Sequence, residues 1–170
     1  MTGARHHDEH LHDEIRAPAE AVAEGLAIAD EHCREKGQRL TEMRRLVLAA
    51  LIESGKALGA YDLIERVAIT GARRPAPVAI YRALDFLIET GLAHRIESRN
   101  AFIACPHHHH SDEAAIFFIC ENCQKVVEES SQTVRASLSM LARKRGFEVK
   151  ANVLEIEGRC SSCRYTPLTA

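Results

Sequence analysis

The sequence predicts an α+β chain in two parts, a winged helix-turn-helix followed by a small α/β segment. Between residues 17 and 91, stretches with apolar residues at helical spacing follow one another and lead at once into a hairpin pattern. Beyond residue 113, strand-like and helix-like stretches are bracketed by two Cys-x2-Cys pairs, Cys120/Cys123 and Cys160/Cys163, which one metal ion would staple together. The expected division is a disordered His-rich tail over 1–16, a winged helix over 17–105, a hinge at about 105–113, and a C-terminal segment over 114–170.

Ala17 to Lys36 reads as a first helix, with Val22, Leu26, Ile28 and Ala29 among its apolar positions and an end near Gly37. Thr41 is an N-cap residue for a second helix, whose stripe is Met43, Leu46, Val47, Ala50 and Leu51. Gly55 and Gly59 interrupt the chain before a short third helix, Tyr61 to Ile69, that buries Leu63, Ile64 and Val67. After Arg73-Arg74-Pro75-Ala76-Pro77 a fourth helix buries Ile80, Leu84, Leu87 and Ile88 and stops at Gly91. Residues 92–105 read as a hairpin; with Ser98 to Ala101 as its loop, Ile96 faces Ile103 and His94 faces Cys105. The fourth helix is then the recognition element and the hairpin the wing. Ile116 to Ile119 is strand-like. Ser131 to Arg145 is a helix with Val134, Leu138, Leu141 and Ala142 on one face, and Val149 to Glu157 is a second strand region. Such a short β-α-β segment gains from a metal staple and from a second copy of itself.

With 170 residues, 46% of them hydrophobic, the chain is able to bury a core. No apolar run approaches ~20 residues and the N-terminus is polar, so a soluble, cytoplasmic protein without a membrane partner is expected. In that compartment six cysteines read as thiols or metal ligands rather than disulfides. The net charge of −2 hides an uneven distribution. Residues 1–33 carry 2 bases against 8 acids, residues 34–99 carry 12 against 8, and residues 100–170 carry 8 of each. The middle segment therefore meets phosphate favourably.

The four thiols of the two Cys-x2-Cys pairs match a closed structural zinc site. Two reduced pairs, two disulfides or an iron–sulfur cluster are the other readings of the same residues. A second group of candidate ligands is less regular: His94 and Cys105 on the wing, the run His107 to His110 after it, and Glu128 past the first Cys pair. Mixed nitrogen, sulfur and oxygen donors drawn from two segments suit a reversible site, and the sulfur of Cys105 favours zinc over iron. The alternative is a half-buried His and Cys in a hairpin beside a solvated His run. On the fourth helix Tyr81, Arg82 and Asp85 share an outward face, where Arg82 suits a guanine edge and Tyr81 a thymine methyl or a phosphate. Arg39, Arg44, Arg45 and Tyr61 suit phosphate contacts, or are plain surface residues.

Several stretches together resemble the ferric uptake regulator family, in its zinc-uptake-regulator branch. They are Gln38-Arg39-Leu40-Thr41, Ala60-Tyr61-Asp62-Leu63, Ile80-Tyr81-Arg82-Ala83-Leu84-Asp85-Phe86-Leu87, and Ala93-His94-Arg95-Ile96-Glu97-Ser98 with Asn100-Ala101-Phe102. Cys120-Glu121-Asn122-Cys123 followed by Val126 to Glu129 completes the set, so the resemblance runs from about residue 20 to 165. It implies a homodimer with an N-terminal winged helix and a C-terminal dimerisation domain, binding Zn2+ at one structural and at least one regulatory site per chain. Cys120, Cys123, Cys160 and Cys163 match the structural ligands; His94, Cys105 and Glu128 match three sensing ligands. Tyr81 and Arg82 match DNA-contacting positions, and Cys33 sits in the first helix as in similar zinc regulators. Two positions depart from the pattern. Glu42 stands where many relatives have proline, and Glu113 stands where the fourth sensing ligand is usually a histidine. His110 is the first substitute for that ligand, ahead of His107 and His108, and the His run is also able to form an additional, weaker site.

The function implied is zinc-responsive repression at an AT-rich inverted repeat of operator DNA, with no small-molecule substrate beyond the metal ion. An iron or peroxide sensor of the same family would want His and carboxylates only, against which Cys105 stands. A zinc-buffering or metallochaperone protein would need the His-rich stretches but not the Arg82 face. A metallo-hydrolase would need an open metal position for water, which four thiolates do not leave.

Overall fold

The computed structural model describes residues 18–70, 74–105, 114–149 and 153–164. The expected tail and all but the first residue of the expected hinge lie outside them. The elements in chain order are α1 (Ala19–Glu35), α2 (Glu42–Ser54), β1 (Leu58–Gly59), α3 (Ala60–Ile69), α4 (Pro77–Glu89), β2 (Ala93–Ile96), β3 (Ala101–Ala104), β4 (Ala114–Cys120), β5 (Val126–Ser131), α5 (Gln132–Lys144) and β6 (Val153–Gly158). The fold is α+β, with two three-stranded sheets ordered β1-β3-β2 and β5-β4-β6.

The helices of the first half form where apolar residues repeat every three or four positions, and they bury those faces against one another. Val47, Leu51, Leu63, Val67, Ile80, Leu84 and Leu87 are fully buried in one cluster. Thr41 stands at the N-cap of α2, but through its backbone: its carbonyl accepts from Arg45 N at 2.9 Å and its side chain makes no cap bond. Pro77 opens α4 at a position whose N–H has no intrahelical partner. Gly91 ends α4 with φ +77°, a left-handed conformation that costs other residues energy. Leu92 N then donates to Leu87 O at 2.8 Å, so only three residues separate α4 from β2. The wing strand is thereby tied to the end of α4.

Several expectations are corrected here. Ile28 and Ile88 are exposed, while Leu48 and Phe86 are buried. In α4 the buried arc turns towards Ala83 and Phe86, and at ~100° per residue this leaves Ile88 on its solvent flank. The wing closes one residue earlier than expected, over a 3-10 turn at Glu97–Arg99 that ends in Asn100 with φ +45°. Asparagine tolerates that conformation. His94 therefore pairs with Ile103 and Ile96 with Ala101, and Cys105 N donates to Leu92 O at 3.0 Å. Because the pairing moves by two positions, every side chain keeps its face, and Cys105 becomes the diagonal neighbour of His94. Leu58–Gly59 adds a short strand against Ala101 and Phe102.

The C-terminal segment is β-β-α-β rather than β-α-β, because Val126–Ser131 pairs antiparallel with β4. After α5, strand β6 returns parallel to β4 on its other side. Ser131 caps α5 by accepting from Val134 N at 3.3 Å. On that helix Val134, Leu138 and Ala142 are half-buried, but Leu141 is exposed. Ala115, Phe117 and Ile119 of β4 pack with Val126 and with Ile96 and Ile103 of the wing in a second, smaller core. This core seats the wing on one face of the C-terminal sheet.

Candidate metal centre

Two groups of ligand-type side chains converge. Cys120, Cys123, Cys160 and Cys163 place their sulfurs within 4.8 Å of one another, and all four are thiols. Cys120 ends β4 and Cys123 lies in the turn to β5, while the second pair closely follows β6, so the parallel pairing of β4 with β6 brings the two pairs together. Glu121 N donates to Gly158 O at 2.8 Å and Cys160 N approaches Cys120 Sγ at 3.5 Å. Burial alone would raise the Cys120 thiol, yet backbone N–H groups of Cys123, Cys160 and Asn122 bring it down to about 6. Cys123 moves the other way, pushed up to about 12 by burial and by the three neighbouring sulfurs. One thiolate is thus favoured and its neighbour opposed, and a bound cation would remove that conflict. The donor set fits zinc.

The second group is His94, Cys105 and Glu128, again with ligand atoms within 4.8 Å. His94 comes from β2, Cys105 from the end of the wing, and Glu128 from β5 across the sheet boundary. His94 Nε2 lies 3.1 Å from Glu128 Oε1, and Cys105 Sγ approaches the same oxygen at 3.8 Å. The Glu128 side chain is 4% exposed, so this carboxylate is removed from water and needs compensating partners. Burial disfavours a charged His94, but its bonding with Cys105 and Glu128 outweighs burial and lifts it to about 9. The His94 ring packs against Phe117, with centroids 5.2 Å apart. A nitrogen, a sulfur and an oxygen held close together and largely dry fit a zinc ion as well. His107, His108, His110 and Glu113, the candidates for a fourth donor, lie outside the described residues.

On α4, Tyr81, Arg82 and Asp85 are exposed, as expected of a face left for a partner. Tyr61 is exposed at the start of α3 and Arg39 before α2. Arg44 is half-buried: its guanidinium stacks 3.3 Å from the Phe86 ring centroid and donates to Arg39 O at 2.6 Å. Arg45 is engaged too, paired with Asp30 of α1. Cys33 is buried in the helical core, and burial raises its thiol.

Sequence reasoning missed the second contact between the wing and the C-terminal sheet. Glu155 of β6 accepts from the backbone N–H groups of Glu97 and Ser98, and Arg99 reaches Gln124 and Glu157. The one available signal was the pair of acids alternating in an otherwise apolar strand, Glu155 and Glu157.

Comparison with known proteins accords with this geometry. The model of the ferric uptake regulator family matches residues 35–157. The chain is 36% identical over 138 residues to the zinc uptake regulation protein of Escherichia coli (strain K12), covering 81% of this chain and 80% of that protein. It is 31% identical over 148 residues to the peroxide operon regulator of Bacillus subtilis (strain 168), covering 84% and 95%. Among solved structures, a zinc uptake regulator complexed with zinc and DNA superposes with a TM-score of 0.78 at 35% identity, covering 84% of this chain and 94% of that one. Holo XcZur follows at 0.74 and 37%, covering 81% and 95%. The family model spans most of the chain, from the end of α1 to β6, and the chain belongs to the ferric uptake regulator family.

Proposed function

We propose that this chain is a zinc-responsive transcriptional repressor that binds operator DNA as a homodimer when its His94 site is loaded, and so controls zinc uptake genes. The observation that carries the reading is the origin of the donors: two on the wing and one on β5. A site built that way reports metal as a fixed angle between segments. Cys120, Cys123, Cys160 and Cys163 are read as the structural ligands, with His94, Cys105 and Glu128 as sensing ligands. His110 is the first choice for a fourth, ahead of His107, His108 and Glu113. All of these follow Cys105 closely enough to reach it at ~3.5 Å of chain per residue.

Zinc in the sensing site supplies a divalent charge that nitrogen, thiolate and carboxylate share. The protein's part is transmission. Glu128 is held by the sheet, while His94 lies three residues after Gly91 and so moves with the end of α4. Fixing His94 against Glu128 therefore fixes Tyr81 and Arg82, the residues read as base-contacting. Arg39, Arg44 and Tyr61 are read as phosphate contacts. On this reading the segments are a tail over 1–16, a DNA-binding domain over 17–105, a hinge at about 105–113, and a dimerisation and metal-binding domain over 114–170. The protein works in the cytoplasm and regulates rather than catalyses. The sulfur in the sensing set, together with the relatives named for zinc, supports zinc over iron.

The test is selection of DNA fragments by the purified chain at buffered free zinc and again with chelator, with the metal of the four-thiol site retained in both. Enrichment of one AT-rich inverted repeat only with zinc is expected. Equal enrichment in both would overturn the zinc switch, and no enrichment in either would turn the reading to a zinc-buffering protein.

A further inference from the structure

Beside the small core that Ile96 and Ile103 share with β4, polar side chains join the wing to the C-terminal sheet at two places, one of them the His94 donor group. Across the sheet, Phe117 pairs with Glu128 on one side and Glu155 on the other. Residues in one such row share a face, here the face that receives the wing. Phe117 is fully buried between them. Glu128 reaches the base of the wing at His94. Glu155 reaches its tip: one carboxylate oxygen accepts from Glu97 N at 2.7 Å and the other from Ser98 N at 3.0 Å. The next residue, Arg99, donates to Gln124 Oε1 at 2.8 Å and lies 3.3 Å from Glu157. Gln124 directly follows Cys123 with φ +61°, and its Nε2 is committed to Glu121 O at 2.9 Å, which aims its oxygen at Arg99. The tip of the wing is thus gripped by β6 and by the turn that carries the first Cys pair.

We propose that Glu155 is a positioning residue for the metal switch, a latch that favours the docked wing independently of metal in the His94 site. The proposal deepens the repressor reading and rests on it for the meaning of the docked state. Two charge-assisted bonds to adjacent backbone N–H groups need a carboxylate: an amide in its place would turn an NH2 group towards one of the two donors. A residue that favours the docked state raises the affinity of any ligand selective for that state, metal and DNA alike. The latch is partly exposed, so its effect is moderate. Glu155→Gln is expected to weaken zinc at the His94 site by about five- to tenfold.

The experiment uses the full chain with the four-thiol site loaded. Amide exchange at Glu97 and Ser98 is followed by NMR with and without zinc in the His94 site, and zinc affinity there is measured by competition with a chromophoric chelator. Both amides are expected to be weakly protected in the wild type without zinc in the His94 site, where the docked wing is a minority state, and strongly protected with zinc. In Glu155→Gln they exchange roughly five- to tenfold faster, and zinc weakens by a similar factor. Unprotected amides in the zinc-loaded wild type overturn the latch. An unchanged zinc affinity in the variant, with or without a lowered melting temperature, reduces Glu155 to a structural contact and overturns its positioning role. Neither readout involves DNA, so a wild type that fails to bind DNA with zinc would remove the repressor reading while leaving the latch result legible.

Discussion

Cys105 and Glu128 approach to 3.8 Å with His94 beside them, and the ionised forms of a thiol and a carboxylate repel at that range unless a cation joins them. Replacing the sulfur tests that requirement with little change of shape. In Cys105→Ser a harder, poorer donor takes its place, and zinc-dependent DNA affinity is expected to fall on the order of 100-fold in mobility shifts at buffered zinc. The circular dichroism spectrum should be unchanged, since the substitution leaves the hydrophobic clusters whole. Normal zinc dependence would remove Cys105 from the donor set. Glu155 makes a different residue-level claim. Burial opposes its charge, but bonds from Ser98 and Glu97 outweigh burial and hold its carboxyl below the ordinary 4.5. A lowered value means the carboxylate supports docking at every pH above 4.5, and the support fades as pH falls through the lowered value. Arg95, Arg99, Glu97 and Glu157 surround the same turn, with Arg95 itself engaged by Glu97. In a carbon-13 titration the Glu155 carboxyl should therefore show its midpoint below those of free glutamates, and the Ser98 amide shift should follow the same curve. A midpoint at the ordinary value would show that the tip is not held this way.

Helix α4 divides its work by face. Leu84 is fully buried and Arg82 exposed, two residues apart on opposite sides. Leu84→Ala should cost about 2–5 kcal/mol in denaturant unfolding through the cavity it leaves. Arg82→Ala should change stability by less than about 0.5 kcal/mol yet cut DNA affinity roughly tenfold, which separates a reading face from a packing face. A stability loss at Arg82 comparable to that at Leu84 would contradict the division. Such faces were legible in the sequence because helical spacing repeats through α2, α3 and α4. The four thiols were legible because each pair is local. Strand β5 was not: Val126-Val127-Glu128-Glu129-Ser130-Ser131 runs in pairs, so its polarity never alternates with the pleat, and β4 decides its pairing. The wing's register slipped because a 3-10 turn with a left-handed Asn100 leaves no stronger mark than the neighbouring Ser98. The face of His94 survived that slip, so His94 still converges with Cys105 and Glu128 although the pairing behind it differs. The alternating acids Glu155 and Glu157 marked β6 as unusual but not what they meet, since Glu155 and Ser98 come together across 57 positions.

At the scale of the whole molecule, the two faces of the C-terminal sheet are unequally covered. One receives the wing. On the other, Val127, Phe118 and Ile156 line up across β5, β4 and β6 and are 39%, 44% and 45% exposed. Met140 and Leu141 of α5 and the nearby Phe147 are exposed as well. An apolar row of this kind on a small sheet is costly in water, and a two-fold partner presenting the same row would bury it. Phe118→Lys with Ile156→Lys puts two charges on each copy at the centre of that contact. The pair should convert a dimer to a monomer in sedimentation equilibrium while leaving the helical spectrum intact, because both side chains already face outward and neither belongs to a buried cluster. DNA affinity should fall with assembly, by about 100-fold or more, since two half-sites bound through one linked body gain an effective concentration that separate monomers lose. Zinc at the His94 site should be retained in the monomer, because all three donors come from a single chain. A variant that remains dimeric would move the interface elsewhere, and a monomer that kept full DNA affinity would break the link between assembly and recognition.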